Sequence, residues 1–162
     1  RTGAKERLGS APRTPPFQQA GARFRGGVEL AAYRAESADV RPGAFVGLEY
    51  RLRLPEGLER PDRLAFWVHG VGEDGRVAFQ GDHPLLSDAR APAGDDREEG
   101  CFLRFALPAT VPPGRYELRT GLWQPWQEKR IRLLDAAVPH DRRGLALGAV
   151  TVRAVDFGDG RR

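Results

Sequence analysis

Two tryptophans, Trp123 and Trp126, stand three residues apart in "LWQPWQEK", with Gln124 and Pro125 between them. Indole faces held at a turn stack on a sugar ring or fill a partner's pocket, so the pair is the sequence's candidate for ligand contact, with carbohydrate the simplest ligand. The bland alternative is that one ring lids the end of the folded domain, the commoner condition of tryptophan.

Other groups with chemical potential lack a supporting pattern. His69, His83 and His140, with Asp82 and Asp141, have the donor types of a two-histidine, one-carboxylate metal site. No two of them have helical i, i+4 spacing, so solvated or core histidines are expected and no metal is assigned. "DDREEG" at 95–100, with Asp88 upstream, lacks the ligand order of an EF-hand and reads as a solvated charge run. The serines are Ser10, Ser37 and Ser87, and none lies in a G-x-S-x-G elbow. Phosphate- and dinucleotide-binding glycine loops are missing, and nothing selects a hydrolytic pair among 22 acidic residues. The sequence therefore predicts no enzyme, no catalytic residue and no cofactor. Cys101, the only cysteine, rules out an intrachain disulfide and a cysteine-built metal site.

Composition narrows the elements that must position these residues. The 162 residues suffice for one domain, and 20 glycines with 13 prolines require frequent turns. No window approaches the roughly 20 apolar residues of a membrane span. The net charge of +4 is concentrated in residues 1–26, which hold Arg1, Lys5, Arg7, Arg13, Arg23 and Arg25 against Glu6. The remainder is close to neutral, with arginines and acids interleaved, so nucleic-acid binding is disfavoured. Residues 1–26 have the composition of an arm or linker, with few large apolar residues, Phe17 among them, and are expected to lie on a partner or reach an anchor. A chain that starts at Arg1 and has no methionine is expected to be a mature form or a portion of something longer.

From Val28 onward, period-2 alternation recurs between turn signals. "VELAAY" puts Val28, Leu30 and Ala32 on one face; "FVGLEYRLRL" puts Val46, Leu48, Tyr50, Leu52 and Leu54 inward and Glu49, Arg51 and Arg53 outward. "LAFWVHGV", apolar on both faces, predicts a central strand, and "EDGR" at 73–76 a tight hairpin. "CFLRFAL" alternates at Cys101, Leu103, Phe105 and Leu107. In "VPPGRYELRTGLW", Tyr116, Leu118, Thr120 and Leu122 point inward, and Tyr116 has the position of a tyrosine corner. A short strand "RIRLL" and a final strand "LALGAVTVRAV", with a bulge near Gly148, complete the set. Seven or eight short strands without helices predict an all-β, antiparallel β-sandwich of immunoglobulin-like or Greek-key type; a small closed barrel is second. The expected division is an arm over 1–26, a sandwich over 27–156 and a tail over 157–162.

The order of motifs resembles a bacterial extracytoplasmic β-sandwich module found after the membrane-spanning part of some polytopic glycosyltransferases and in other envelope proteins. The resemblance rests on "FRGGVELAAY" at 24–33, "VRPG" at 40–43, "VHGVGEDGR" at 68–76, "QGDHP" at 80–84, "PPGRYELRTGL" at 112–122, "RI" at 130–131 and "LGAV" at 147–150. The chain departs from it where "WQPWQEK" replaces a tyrosine-aspartate after Gly-Leu, and where a tryptophan-containing stretch is missing from "SDARAPAGDDREEG". The resemblance implies a non-catalytic accessory module, periplasmic or at the cell surface and peripheral to the membrane, that docks on other protein subunits, membrane proteins among them. Glycan recognition through Trp123 and Trp126 is the alternative.

Overall fold

A computed structural model describes residues 15–36, 38–58, 60–85 and 98–155. Their strands, in chain order, are β1 Gln18–Phe24, β2 Glu29–Ala35, β3 Asp39–Val40, β4 Phe45–Arg53, β5 Ala65–Val71, β6 Val77–Gln80, β7 His83–Pro84, β8 Glu98–Ala106, β9 Gly114–Gln124, β10 Lys129–Arg130, β11 Leu133–Asp135, β12 His140–Asp141 and β13 Gly144–Val152. Single 3-10 turns at Pro61–Arg63 and Pro125–Gln127 are the only helical pieces among the described residues. One sheet has the order β11-β1-β2-β4-β8 and the other β12-β13-β9-β5-β6, with β3, β7 and β10 pairing at the second sheet's margins. Pairing is antiparallel except between β3 and β13. The chain is an all-β sandwich of two largely antiparallel sheets, as the alternation predicted.

The core lies between the sheets. Leu48, Tyr50 and Leu52 of β4 face Phe66 and Val68 of β5 and Leu118 and Leu122 of β9, all in one buried cluster. Full burial of each such side chain stabilises the fold by roughly 1.5–3 kcal/mol. Edge-on packing of Phe66 against Tyr50 and Phe24, at 5.2 and 6.1 Å between ring centres, ties the two sheets together. Tyr116 donates its hydroxyl hydrogen to the Pro112 carbonyl at 2.6 Å, which makes it the expected tyrosine corner. Gly148, at φ +92°, stands in the register shift between Ala146 and Ala149, the expected bulge.

Three expectations need correction. Gln18–Phe24 is not arm but strand β1, paired with β2 and β11, so the sheet begins well before residue 27. The strand is faint in sequence because its inward positions are Ala20 and Ala22, and a register shift between Gln19 and Ala22, with Gly21 at φ +51°, breaks the alternation. In β2 a shift between Leu30 and Ala32 moves the inward phase, so Tyr33 rather than Ala32 joins the core cluster with Val28 and Leu30. "RIRLL" is not one strand: β10 pairs with β9 in one sheet, and β11 pairs with β1 in the other. The chain changes sheets across Ile131 and Arg132. The expected tail, 157–162, lies outside the described residues.

Candidate functional site

That crossing shapes one end of the sandwich. The 3-10 turn after β9 is set by Pro125 at its first position and closed by Glu128, whose N–H donates to the Pro125 carbonyl at 3.2 Å with φ +49°. The turn holds the Trp126 ring away from the body of the domain, 81 % exposed. Trp126 forms one wall of a cleft of about 280 Å³. Leu58, Leu64, Leu122 and Ile131 supply its apolar lining, and Gln124 and Gln127 contribute amides. Arg25, Arg60 and Arg63 also line it, and among the described residues no acidic side chain does. Arg60 is paired with Asp62, Nη2 to Oδ2 at 3.0 Å, whereas Arg25 and Arg63 take part in no ion pair among the described residues.

The structure thus separates the two candidate tryptophans. Trp126 faces the cleft; Trp123 does not line it and is half-buried, with its indole N–H enclosed and unpartnered. Trp123 belongs to the outer face of the second sheet with Trp67, whose ring rests where Gly121 and Gly144 leave room. A Cβ on Gly121 would stand 2.5 Å from Trp67 Cζ2, and one on Gly144, at φ +95°, 2.4 Å from Cη2. The Arg130 guanidinium covers the same ring at 4.6 Å and His69 packs beside it at 4.7 Å. Burial lowers the His69 pKa, with Asp82 opposing the shift and Arg130 adding to it.

The histidines do not converge. His83 lies in the core against both Tyr50 and Phe66, at ring distances of 5.4 and 5.8 Å. Its Nδ1 is 3.3 Å from the Pro84 carbonyl and 3.6 Å from Cys101 Sγ, and Nε2 is buried with no partner. Burial pushes its pKa down to about 4, against the smaller opposing effect of the Pro84 carbonyl. Next to it, Tyr50 donates to Thr120 Oγ1 at 3.1 Å and Thr120 donates to the Trp67 carbonyl at 2.8 Å, so both buried hydroxyls are satisfied. His140 is exposed, its Nδ1 3.0 Å from the Val138 carbonyl. Among the described residues no three His, Cys, Asp or Glu side chains gather as a metal site would need. Glu98, from the acidic run, instead pairs with Arg53 at 2.8 Å; Asp88, Asp95 and Asp96 lie outside the described residues.

The proposed arm divides. Arg1, Lys5, Arg7 and Arg13 fall outside the described residues. Phe17 lies under the Arg34 and Arg51 guanidinium groups, 4.2 and 4.4 Å from its ring centre, on the outer face of the first sheet. Arg23 forms a two-point ion pair with Asp135 across β1 and β11, 2.9 Å from Nε to Oδ1, which lowers the Asp135 pKa. Arg25 belongs to the cleft, its backbone N–H held by the Arg132 carbonyl at 2.8 Å. Phe17, Arg23 and Arg25 thus lie on the folded domain and are not part of a free arm.

A second feature lies at the edge of the first sheet. Strand β8 is the outer strand of its sheet, nine residues long, with no strand on its far side among the described residues. Phe102 on β8 and Phe45 on β4 project from the outer face, 43 and 55 % exposed, with the Arg104 guanidinium 5.1 Å from the Phe45 ring centre. The alternation in "FVGLEYRLRL" and "CFLRFAL" already put Phe45 and Phe102 outward. Arg60 and Arg63 gave no such signal, because only the folded loop brings them to Trp126.

No family model matches the chain, and no curated protein sequence matches it. Among solved structures, the C-terminal domain of Wzt is similar, with a TM-score of 0.49 and 16 % identity over 89 % of this chain and 83 % of that one. An immunoglobulin-like protein from Pseudomonas aeruginosa aligns with a TM-score of 0.35 and 20 % identity, over 83 % of this chain and 98 % of that one. No helix among the described residues is long and apolar enough to cross a membrane.

Proposed function

We propose that the chain is a non-catalytic accessory module that docks on other proteins of a bacterial membrane-associated assembly, on the extracytoplasmic side. The observation that carries the docking is the edge of β8, which no strand among the described residues pairs, beside the exposed Phe45 and Phe102. An unpaired strand edge offers a row of backbone donors and acceptors to an incoming strand, and proteins that do not use such an edge blunt or cover it. Aromatic anchors next to that edge are what a docking surface needs for affinity. The extracytoplasmic location rests on the motif order alone.

A photo-crosslinking residue in place of Phe102, introduced in the native cell, is expected to give an adduct with a protein of the membrane fraction. The same residue in place of Arg115, exposed on the other sheet, is the control. Adducts from both positions alike, or from Arg115 only, contradict docking at β8.

Trp126 supports a second reading, glycan binding. A tryptophan this exposed at the mouth of a cleft with amide and guanidinium groups is suited to stacking on a sugar ring and hydrogen-bonding its hydroxyls. The two readings use different surfaces. Strand β4 carries Phe45 at its start, and the chain reaches the cleft wall at Leu58 only after β4 ends at Arg53.

A further inference from the structure

We infer that the Trp126 cleft takes a carboxylate-bearing sugar residue of an acidic glycan. This rests on the glycan reading above and specifies its ligand. Three observations carry it beyond an aromatic platform.

The first is charge. Among the described residues three guanidinium groups line the cleft and no carboxylate does; Arg60 is paired with Asp62, and Arg25 and Arg63 have no ionic partner among those residues. Arginine presents a planar fork of donors that fits a carboxylate in two-point geometry, and leaving like charges together without a counter-charge is unfavourable. A neutral sugar would leave that fork unused. The second is the surrounding field. Lys129, Arg130 and Arg132 follow directly on the Trp126 turn, none of them in an ion pair among the described residues, and the Arg132 carbonyl holds the Arg25 backbone. Against the single carboxylate of Glu128 these side chains leave the segment that departs from the cleft net positive, as suits a polymer with repeated negative charge.

The third is the mixed character of the walls. The indole and the leucines suit the apolar face of a pyranose ring, and Gln124 and Gln127 can donate to and accept from its hydroxyls. An acidic peptide fits less well. The Gly26 hairpin and the two 3-10 turns that wall the cleft carry no open strand edge, and the β9 residues that line it are paired with β5 on one side and β10 on the other. A single-stranded nucleic acid would need successive stacking platforms, and the cleft has one exposed aromatic ring.

The test is a glycan array carrying carboxylate-bearing bacterial saccharides beside their carboxyl-reduced and neutral counterparts, followed by calorimetry on the best acidic oligosaccharide. Binding of the acidic form with at least about a tenfold loss on carboxyl reduction is expected, and a similar loss for Arg63→Gln. Trp126→Ala should abolish binding without changing the circular dichroism spectrum. Arg76→Gln, an exposed arginine outside the cleft, controls for general charge and should bind normally. Binding of reduced and acidic forms alike, still dependent on Trp126, overturns the carboxylate assignment and leaves the glycan reading standing. No binding to any sugar overturns both. Equal affinity for polyglutamate, a single-stranded oligonucleotide or inorganic phosphate, with Trp126→Ala without effect, shows nonspecific anion attraction and also overturns it.

Discussion

His83→Phe should flatten the acid limb of the domain's stability profile. In the folded chain the His83 ring packs against Tyr50 and Phe66, its Nε2 has no partner, and burial lowers its pKa to about 4. Protonation in place would create a buried cation with an N–H donor facing nothing. An unfolded histidine titrates near 6.5, so between about 6.5 and about 4 the unfolded chain holds a proton that the folded chain does not. Stability therefore rises with pH through that window and is lost as pH falls from about 6.5 toward about 4. At about 1.4 kcal/mol per unit, a shift of roughly 2.5 units is worth on the order of 3 kcal/mol, or about 6–12 °C in Tm for a domain of this size. The assay is urea unfolding of wild type and His83→Phe across the window, with the His83 ring proton followed by NMR. The variant should lack this part of the slope, and the ring should stay neutral down to about pH 5. Parallel slopes for both proteins, or a ring that titrates near 6.5, would refute the reasoning.

Other consequences follow from local geometry. Gly144→Ala places a methyl against Trp67 at a left-handed φ, and should cost roughly 1–3 kcal/mol in urea titrations while red-shifting tryptophan emission. Tyr116→Phe removes the bond to the Pro112 carbonyl and should lower stability by about 1 kcal/mol. Trp123→Ala should lower thermal stability by several kcal/mol, because its ring is half-buried, whereas Trp126→Ala should fall within about 0.5 kcal/mol of wild type. Comparable losses for the two tryptophan variants would mean that Trp126 is held in the fold and not presented to a ligand.

Most of the sandwich was legible because period-2 alternation and turn chemistry act locally. β4, β5, β8 and β9 follow their apolar positions, and Tyr116 declared its corner through the preceding "VPPG". β1 escaped because alanines occupy its inward positions and a bulge interrupts it, so residues 18–24 looked like the arm that precedes them. The split of "RIRLL" between sheets was hidden for a different reason: nothing local tells Lys129 and Leu133 to pair with different partners. The cleft was half legible. Trp126 advertised itself, but the arginines of its cleft come from two other segments, at Arg25 and at residues 60–63, which only the folded chain brings to it. Their clustering also qualifies the impression of evenly interleaved charge outside the arm.

Docking through β8 is tested most directly by hydrogen exchange on the purified module, alone and mixed with its detergent-solubilised membrane assembly. Addition of a partner strand should slow exchange of the edge-facing amides of Glu98–Ala106 and bury Phe102, while β6, at the edge of the other sheet, is unchanged. Unaltered exchange in β8, with new protection confined to β6 or to the cleft, would contradict the account.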